Sequence, residues 1–171
     1  MSTDVIYCTT LNSPLGELLL TCDSSGALTS LSVPGQKGGR VIGAGGSEWV
    51  RDPGRFVEAE RQLDAYFAGE LKEFELELRP EGGTEFRRRV WGALDDVPYG
   101  ATTTYGEVAA RIGASRAAVR AVGGAVGANP LLIVRPCHRV IGADGSLTGY
   151  AGGMERKVEL LKLEGAVRSR G

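Results

Sequence analysis

The chain is poor in the residues that build covalent or metal scaffolds. Its 171 residues include three cysteines and one histidine. Cys8, Cys22 and Cys137 form an odd set with no CxxC spacing, which argues against a disulfide framework and leaves at least one thiol free. A closed structural zinc site is disfavoured too, because its ligand set would consume every cysteine together with His138. No apolar run is long enough to cross a bilayer, Leu131 to Val134 being typical. The start, MSTDVIYCTT, lacks the basic segment and apolar stretch of a secretory leader, so the chain is expected to stay in the cytoplasm. What remains, 42% hydrophobic and 24% charged residues, is the composition of a water-soluble globular protein with room for two small lobes.

Charge divides the chain near Gly83. Residues 1–83 hold 7 Lys+Arg against 13 Asp+Glu, and residues 84–171 hold 13 against 8, with eleven of those thirteen cations arginine. An arginine-rich half suits a polyanion partner, since the guanidinium fork matches phosphate; a solvated surface is the alternative.

In the first half, Val5–Leu11, Glu17–Cys22 and Ala27–Val33 read as short strands. Ser13-Pro14-Leu15-Gly16 and Asp23-Ser24-Ser25-Gly26 separate them, so a small antiparallel meander is expected. Residues 34–54, rich in glycine, read as an irregular excursion. Phe56, Ala59, Leu63, Tyr66 and Phe67 recur at helical spacing up to Gly69, and Phe74–Leu78 alternates like one more strand. Arg79 to Gly83 reads as a linker, which sets domains at 1–83 and 84–171.

The second half reads as mostly helical. Thr84 is placed to cap a helix with the stripe Phe86, Val90, Trp91 and Leu94. Thr104 and Glu107 form a capping box for the next helix, closed by Gly113. Ser115 is placed to cap a further helix, Arg116 to about Val126, giving a helix-turn-helix pattern. This last helix carries only small side chains and Arg116 and Arg120. Such a surface permits close approach to a partner, or tight packing on a neighbouring helix. Leu131–Val134 reads as a strand, and Glu155–Leu163 as a final helix. The fold class is therefore α+β: a small antiparallel sheet with a helix, then a mostly helical lobe with a winged helix-turn-helix.

At the centre of the second half lies RPCHRVIG. A cysteine attacks as thiolate, favoured by a nearby base or positive charge, and here Arg135, His138 and Arg139 flank Cys137. His138 is the only imidazole, so any Cys–His pair must draw on it. Adjacent side chains rarely face each other, so the proton path is expected to run through an intermediary such as water. An inert buried thiol and a structural histidine are the alternatives.

PCHRVIG, led by Asn129-Pro130 and followed by Gly149 to Gly153, resembles the signature of the O6-alkylguanine-DNA alkyltransferases, also called methylated-DNA–protein-cysteine methyltransferases. VPYG-x-x-x-x-YGEVA, RAVGGA and LL-x-L-E-G fall in that family's order. The resemblance is specific over residues 84–165 and looser over the first lobe, where it implies a ribonuclease H-like fold. It implies direct-reversal DNA repair: irreversible, stoichiometric transfer of the alkyl group from O6-alkylguanine, and less efficiently O4-alkylthymine, to Cys137. In that scheme His138 is the base, Glu164 orients it, and Asn129 braces the turn. Tyr105 presses on the phosphate of the flipped nucleotide and donates a proton. Arg120 fills the hole in the duplex, with Arg116, Ala121, Gly123 and Gly124 on the minor-groove surface. Pro136, Val140, Tyr150, Ala151 and Gly152 wall the pocket, the Val140 carbonyl meeting the guanine amino group. No cofactor or metal is implied. The partner is double-stranded DNA carrying alkylated guanine, with no membrane; the chain is a monomer, cooperative assembly on DNA being left open. Arg135 stands where relatives usually carry an aliphatic residue, and the sequence leaves open whether it lies on the surface, touches phosphate or acts on the thiol. Ala151 stands where several carry serine.

Overall fold

A computed structural model describes residues 5–36, 49–80, 82–147 and 149–166. The chain forms two compact units, Met1–Glu81 and Gly82–Gly171.

In the first unit, β1 (Ile6–Ser13), β2 (Gly16–Cys22) and β3 (Leu28–Ser32) pair antiparallel, as the turn residues dictate. The Ser13 side chain accepts from Leu15 N and donates to Gly16 O, closing the first hairpin, and Asp23 closes the second by accepting from Ser25 N and Ala27 N. The sheet is not a pure meander. A short strand β4 (Trp49–Arg51) pairs parallel to β1 at the opposite edge, giving the order β3-β2-β1-β4. It falls inside the stretch 34–54 read as irregular, of which residues 37–48 lie outside the described residues. A 3₁₀ turn (Pro53–Phe56) leads into α1 (Val57–Phe67), whose buried face is Ala59, Gln62, Leu63 and Tyr66.

Residues 74–78 do not join the sheet as a strand. They touch it at a single parallel bridge, Leu28 to Leu78, with Leu28 N donating to Glu77 O at 2.9 Å. The backbone at Glu75 is claimed instead by the buried Gln62 amide, which accepts from Glu75 N at 2.8 Å and donates to Glu75 O at 3.2 Å. A side chain has taken the place of the ladder partner.

The second unit is built on α2 (Glu85–Leu94), α3 (Tyr105–Arg111) and α4 (Val119–Gly127), packed against one another. Thr84 Oγ1 accepts from Arg87 N at 3.1 Å, and Thr104 Oγ1 accepts from Glu107 N at 3.1 Å, so both predicted caps form. Thr84→Ala should cost about 1 kcal/mol of unfolding free energy, read as a lower urea midpoint at unchanged slope. Ser115 is not the cap of α4. A 3₁₀ turn, Arg116–Ala118, intervenes, held by Ala118 N donating to the Ser115 carbonyl, and α4 begins after Ala118 with no side-chain cap. Trp91, buried in α2, donates its indole N–H to Ala125 O of α4 at 2.9 Å. Two residues of β5 (Thr103–Thr104) pair parallel with β6 (Val140–Ile141), and α5 (Met154–Leu163) completes the unit.

Leu131–Val134 is a buried turn rather than a strand. Ile133 is the one non-glycine residue with positive φ among those described, at 71°, and Val134 N donates to Leu132 O at 2.7 Å across it. This closes a γ-turn in a hand that L-residues disfavour, a β-branched one most of all, at a cost of about 1–3 kcal/mol. A second three-residue turn follows at Pro136, where Cys137 N donates to Arg135 O at 2.8 Å. The two reverse the chain just ahead of the cysteine.

Candidate active site

The two turns deliver Cys137, His138 and Arg139 as one 3₁₀ turn, all three buried. Asn129, two residues beyond the end of α4, braces the approach. Its Oδ1 accepts from Leu131 N at 3.0 Å, and its Nδ2 donates to Leu131 O at 3.2 Å and Arg135 O at 3.5 Å. The amide thus satisfies backbone groups that the turns leave without ladder partners.

His138 is fully buried. Its Nε2 lies 2.8 Å from Glu164 Oε2, at the C-terminal end of α5. Glu164 is also gripped by Arg139, through Nε at 2.7 Å and Nη2 at 3.0 Å, while Arg139 Nη1 donates to Val97 O at 2.6 Å. Burial drives the His138 pKa below its ordinary value, against the pull of Glu164. A neutral ring whose Nε2 faces a carboxylate carries its proton there, leaving Nδ1 with a bare lone pair. That Nδ1 is buried and has no hydrogen-bond partner among the described residues. The arrangement is a base held in one tautomer.

The thiol does not follow the sequence expectation of a charge-activated thiolate. Cys137 is 2% exposed, and burial pushes its pKa up to about 11, outweighing the lowering by Asn129, Lys157, the Cys137 backbone and Arg135. The flanking arginines do not offset that burial, because both are paired elsewhere. Arg139 is spent on Glu164, and Arg135 forks onto Asp95 with Nε at 3.1 Å and Nη2 at 3.4 Å. Near neutral pH the resting sulfur is a thiol, and attack requires a base to take its proton.

Around this core, Tyr150 stands edge-on to His138 with ring centroids 6.5 Å apart. A Cβ at Gly152 would sit 2.7 Å from the Tyr150 ring and 3.3 Å from Leu132, so only glycine fits there. Ala151 is half-buried and Pro136 and Val140 are buried. The Val140 carbonyl already accepts from Lys157 Nζ at 2.7 Å, which leaves it one lone pair.

Lys157 was missed by sequence reasoning. It is 1% exposed, on the α5 face it shares with Leu160, Leu161 and Glu164. The spacing 157, 160, 161, 164 was the available signal, since a lysine on an apolar stripe is either snorkelling or paired.

On α4 the exposed face is Arg120, Ala121, Gly124 and Gly127, small residues around one arginine, and Ala117 of the preceding 3₁₀ turn is exposed as well. Arg116 sits in the preceding 3₁₀ turn. Gly123 is half-buried, because the Tyr105 ring lies over it: a Cβ there would meet that ring at 3.8 Å. Tyr105, the first residue of α3, is itself half-buried.

Comparison with known proteins gives this arrangement a family. The ribonuclease-like domain of 6-O-methylguanine DNA methyltransferase matches residues 6–80, and the DNA binding domain of the same family matches residues 85–166. A Methanosarcina acetivorans methylated-DNA–protein-cysteine methyltransferase is 50% identical over 161 residues, covering 94% of this chain and 99% of its own. The chain belongs to the methylated-DNA–protein-cysteine methyltransferase family.

Another member, from Mycobacterium leprae, is 51% identical over 94% of this chain and 93% of its own length. Among solved members, Mycobacterium tuberculosis OGT in complex with DNA superposes with a TM-score of 0.84 at 49% identity, covering 94% of this chain and 93% of that one. The enzyme from Pyrococcus kodakaraensis gives a TM-score of 0.67 at 27% identity over 94% of this chain and 99% of its own. Both units thus have the architecture of this family, a small sheet unit followed by a helical one. No helix among the described residues is long and apolar enough to cross a membrane.

Proposed function

We propose that the chain reverses alkylation of DNA by moving the alkyl group from the O6 of guanine to Cys137, once per molecule. The observation that carries this is the buried His138 beside Cys137, its Nε2 tied to Glu164 and its Nδ1 left without a partner.

In this mechanism His138 Nδ1 takes the thiol proton, directly or through one water. Cys137 Sγ forms a bond to the alkyl carbon as the bond from that carbon to guanine O6 breaks. The electron pair leaves with the purine, which takes a proton from Tyr105, and His138 and Tyr105 re-equilibrate through solvent. Glu164 stabilises the transient imidazolium, so ionising the sulfur need not occur against the full burial penalty. The Val140 carbonyl, oriented by Lys157, offers its second lone pair to the guanine amino group. Pro136, Tyr150, Ala151 and Gly152 form the pocket wall, with an Ala151 backbone N–H where relatives offer a serine hydroxyl. The thioether product presents no carbonyl for water to attack, so no hydrolytic step restores the sulfur. O4-alkylthymine fits the same chemistry less well. No cofactor enters it.

The substrate base reaches the site outside the duplex, at a cost of about a few kcal/mol. The exposed small face of α4 suits the minor groove, with Ala121 and Gly124 giving close approach, Gly123 seating the Tyr105 ring beside them, Arg116 at the entrance and Arg120 in the gap left by the base. Tyr105 presses on the rotated phosphate. We place the protein in the cytoplasm as a monomer, with residues 84–171 as the DNA-binding and acceptor domain and residues 1–83 as its support.

Arg120→Ala tests the flipping step. Transfer from methylated duplex DNA should slow by roughly ten-fold or more, while transfer from the free O6-methylguanine base keeps its rate. Equal slowing on both substrates would remove Arg120 from base extrusion. The transfer itself is tested with duplex DNA labelled on the methyl carbon: label should move to the protein, and label released to solvent would exclude the mechanism.

A further inference from the structure

Arg135 is the residue of the acceptor loop that the mechanism leaves without a task. Its main chain is central to the loop: its N–H donates to Leu131 O at 3.0 Å, and its carbonyl accepts from Cys137 N and from Asn129 Nδ2. Its side chain, more than nine-tenths buried, runs across Trp91, with the guanidinium carbon 5.6 Å from the ring centroid, and ends in the fork on Asp95 just past α2. Arg135 Nη1 is buried with no partner among the described residues. A guanidinium held by one half-exposed carboxylate and an aromatic face is fixed in place and only partly neutralised.

From this geometry we infer that the Arg135–Asp95 pair is a positioning device for the acceptor sulfur, Arg135 anchoring the loop to α2 and supplying a fixed positive charge two residues before Cys137, and Asp95 setting how much of that charge the sulfur feels. The inference rests on Cys137 being the acceptor. The other charged groups around the thiol leave room for it. Arg139 is matched by Glu164, His138 is neutral, and Lys157 of α5 is the second cation whose field lowers the thiol pKa. Arg135 and Lys157 are thus the two cations acting on the sulfur, and Arg135 is paired with a carboxylate near the surface.

The two halves of the pair have opposite effects on the sulfur, which distinguishes this role from simple scaffolding. Arg135→Met should move the alkaline limb of the transfer profile to higher pH and slow transfer at neutral pH by roughly three-fold, with rates converging once the thiolate is fully formed. Arg135→Lys should restore much of the loss. Asp95→Asn should move the limb to lower pH and raise the neutral rate by roughly two-fold. Single-turnover transfer from saturating methylated duplex, measured from neutral to alkaline pH, reads all of these. If Arg135→Met lowers the rate equally at every pH, or if Asp95→Asn moves the limb in the same direction as Arg135→Met, the pair acts only as a structural tie and the inference is wrong. Should Arg135→Met fail to fold, Asp95→Asn decides alone: a limb at lower pH supports the role, and an unmoved or raised one overturns it. Iodoacetamide modification of Cys137, followed by mass on its peptide, repeats the series without DNA. Limbs that move there while methylated DNA yields no transfer keep the role of Arg135 and refute the repair function; transfer with unmoved limbs does the reverse.

Discussion

Cys137→Ala is expected to lose methyl transfer entirely while keeping its fold and its grip on DNA. Removing one buried sulfur from the turn costs on the order of 1 kcal/mol, since the side chain is small and carries no charge in the resting state. Asn129 still braces the loop through Leu131 and Arg135, contacts that do not use the thiol. Arg120, Ala121 and Gly124 lie exposed on α4, separate from the buried acceptor turn, so duplex affinity should be near that of the parent chain. A gel-shift titration beside a transfer assay gives both readouts. Residual transfer in the variant would mean that Cys8 or Cys22 is the acceptor. Both are buried in the first unit, and burial raises the pKa of each.

The second large effect belongs to Glu164, and two substitutions divide it. Glu164→Ala strips the carboxylate from Arg139 Nε and Nη2 and from His138 Nε2, leaving a buried guanidinium with the Val97 carbonyl as its remaining hydrogen-bond partner among the described residues. Breaking a buried pair from one side costs about 3–5 kcal/mol, which should appear as a large fall in the urea midpoint. Glu164→Gln should be milder for stability, because the amide oxygen still accepts from Arg139. Its NH₂, turned toward His138, would demand the opposite tautomer, with the proton on Nδ1. A base protonated at the working nitrogen is no base, and transfer should fall by about 10²–10⁴. Retained activity in Glu164→Gln would show that His138 does not work through Nδ1.

The same network fixes the acid side of the pH dependence. The His138 pKa is lowered in the folded state, so its neutral form contributes stability that is present above the unfolded value and is lost as pH falls below it. Transfer should therefore hold its rate down through pH 6.5, where an ordinary imidazole is half protonated.

Much of this was legible in the sequence because it is local. The caps at Thr84 and Thr104 depend on hydroxyls three residues from the amides they serve, and the stripe of α1 repeats at its own helical period. Cys137, His138 and Asn129 are marked by motif, whereas Glu164 was accessible through family resemblance alone. What was illegible is what long-range pairing or surroundings decide. Three residues, Trp49–Arg51, become a strand because β1 offers an edge, and Phe74–Leu78, which alternates as a strand should, loses its ladder to Gln62. Leu131–Val134 is as apolar as a buried strand, but Asn129 and the positive φ at Ile133 bend it into a turn. The cations flanking Cys137 suggested activation, yet their partners, Asp95 and Glu164, lie 40 and 25 residues away, and burial decided the thiol's state.

Intact-mass spectrometry of the protein mixed with an excess of methylated-guanine duplex tests the central claim most directly. The structure predicts one added methyl per chain, located on the peptide containing Cys137, with demethylated DNA never exceeding the protein present. An unchanged protein mass, or more repaired DNA than protein, would contradict it.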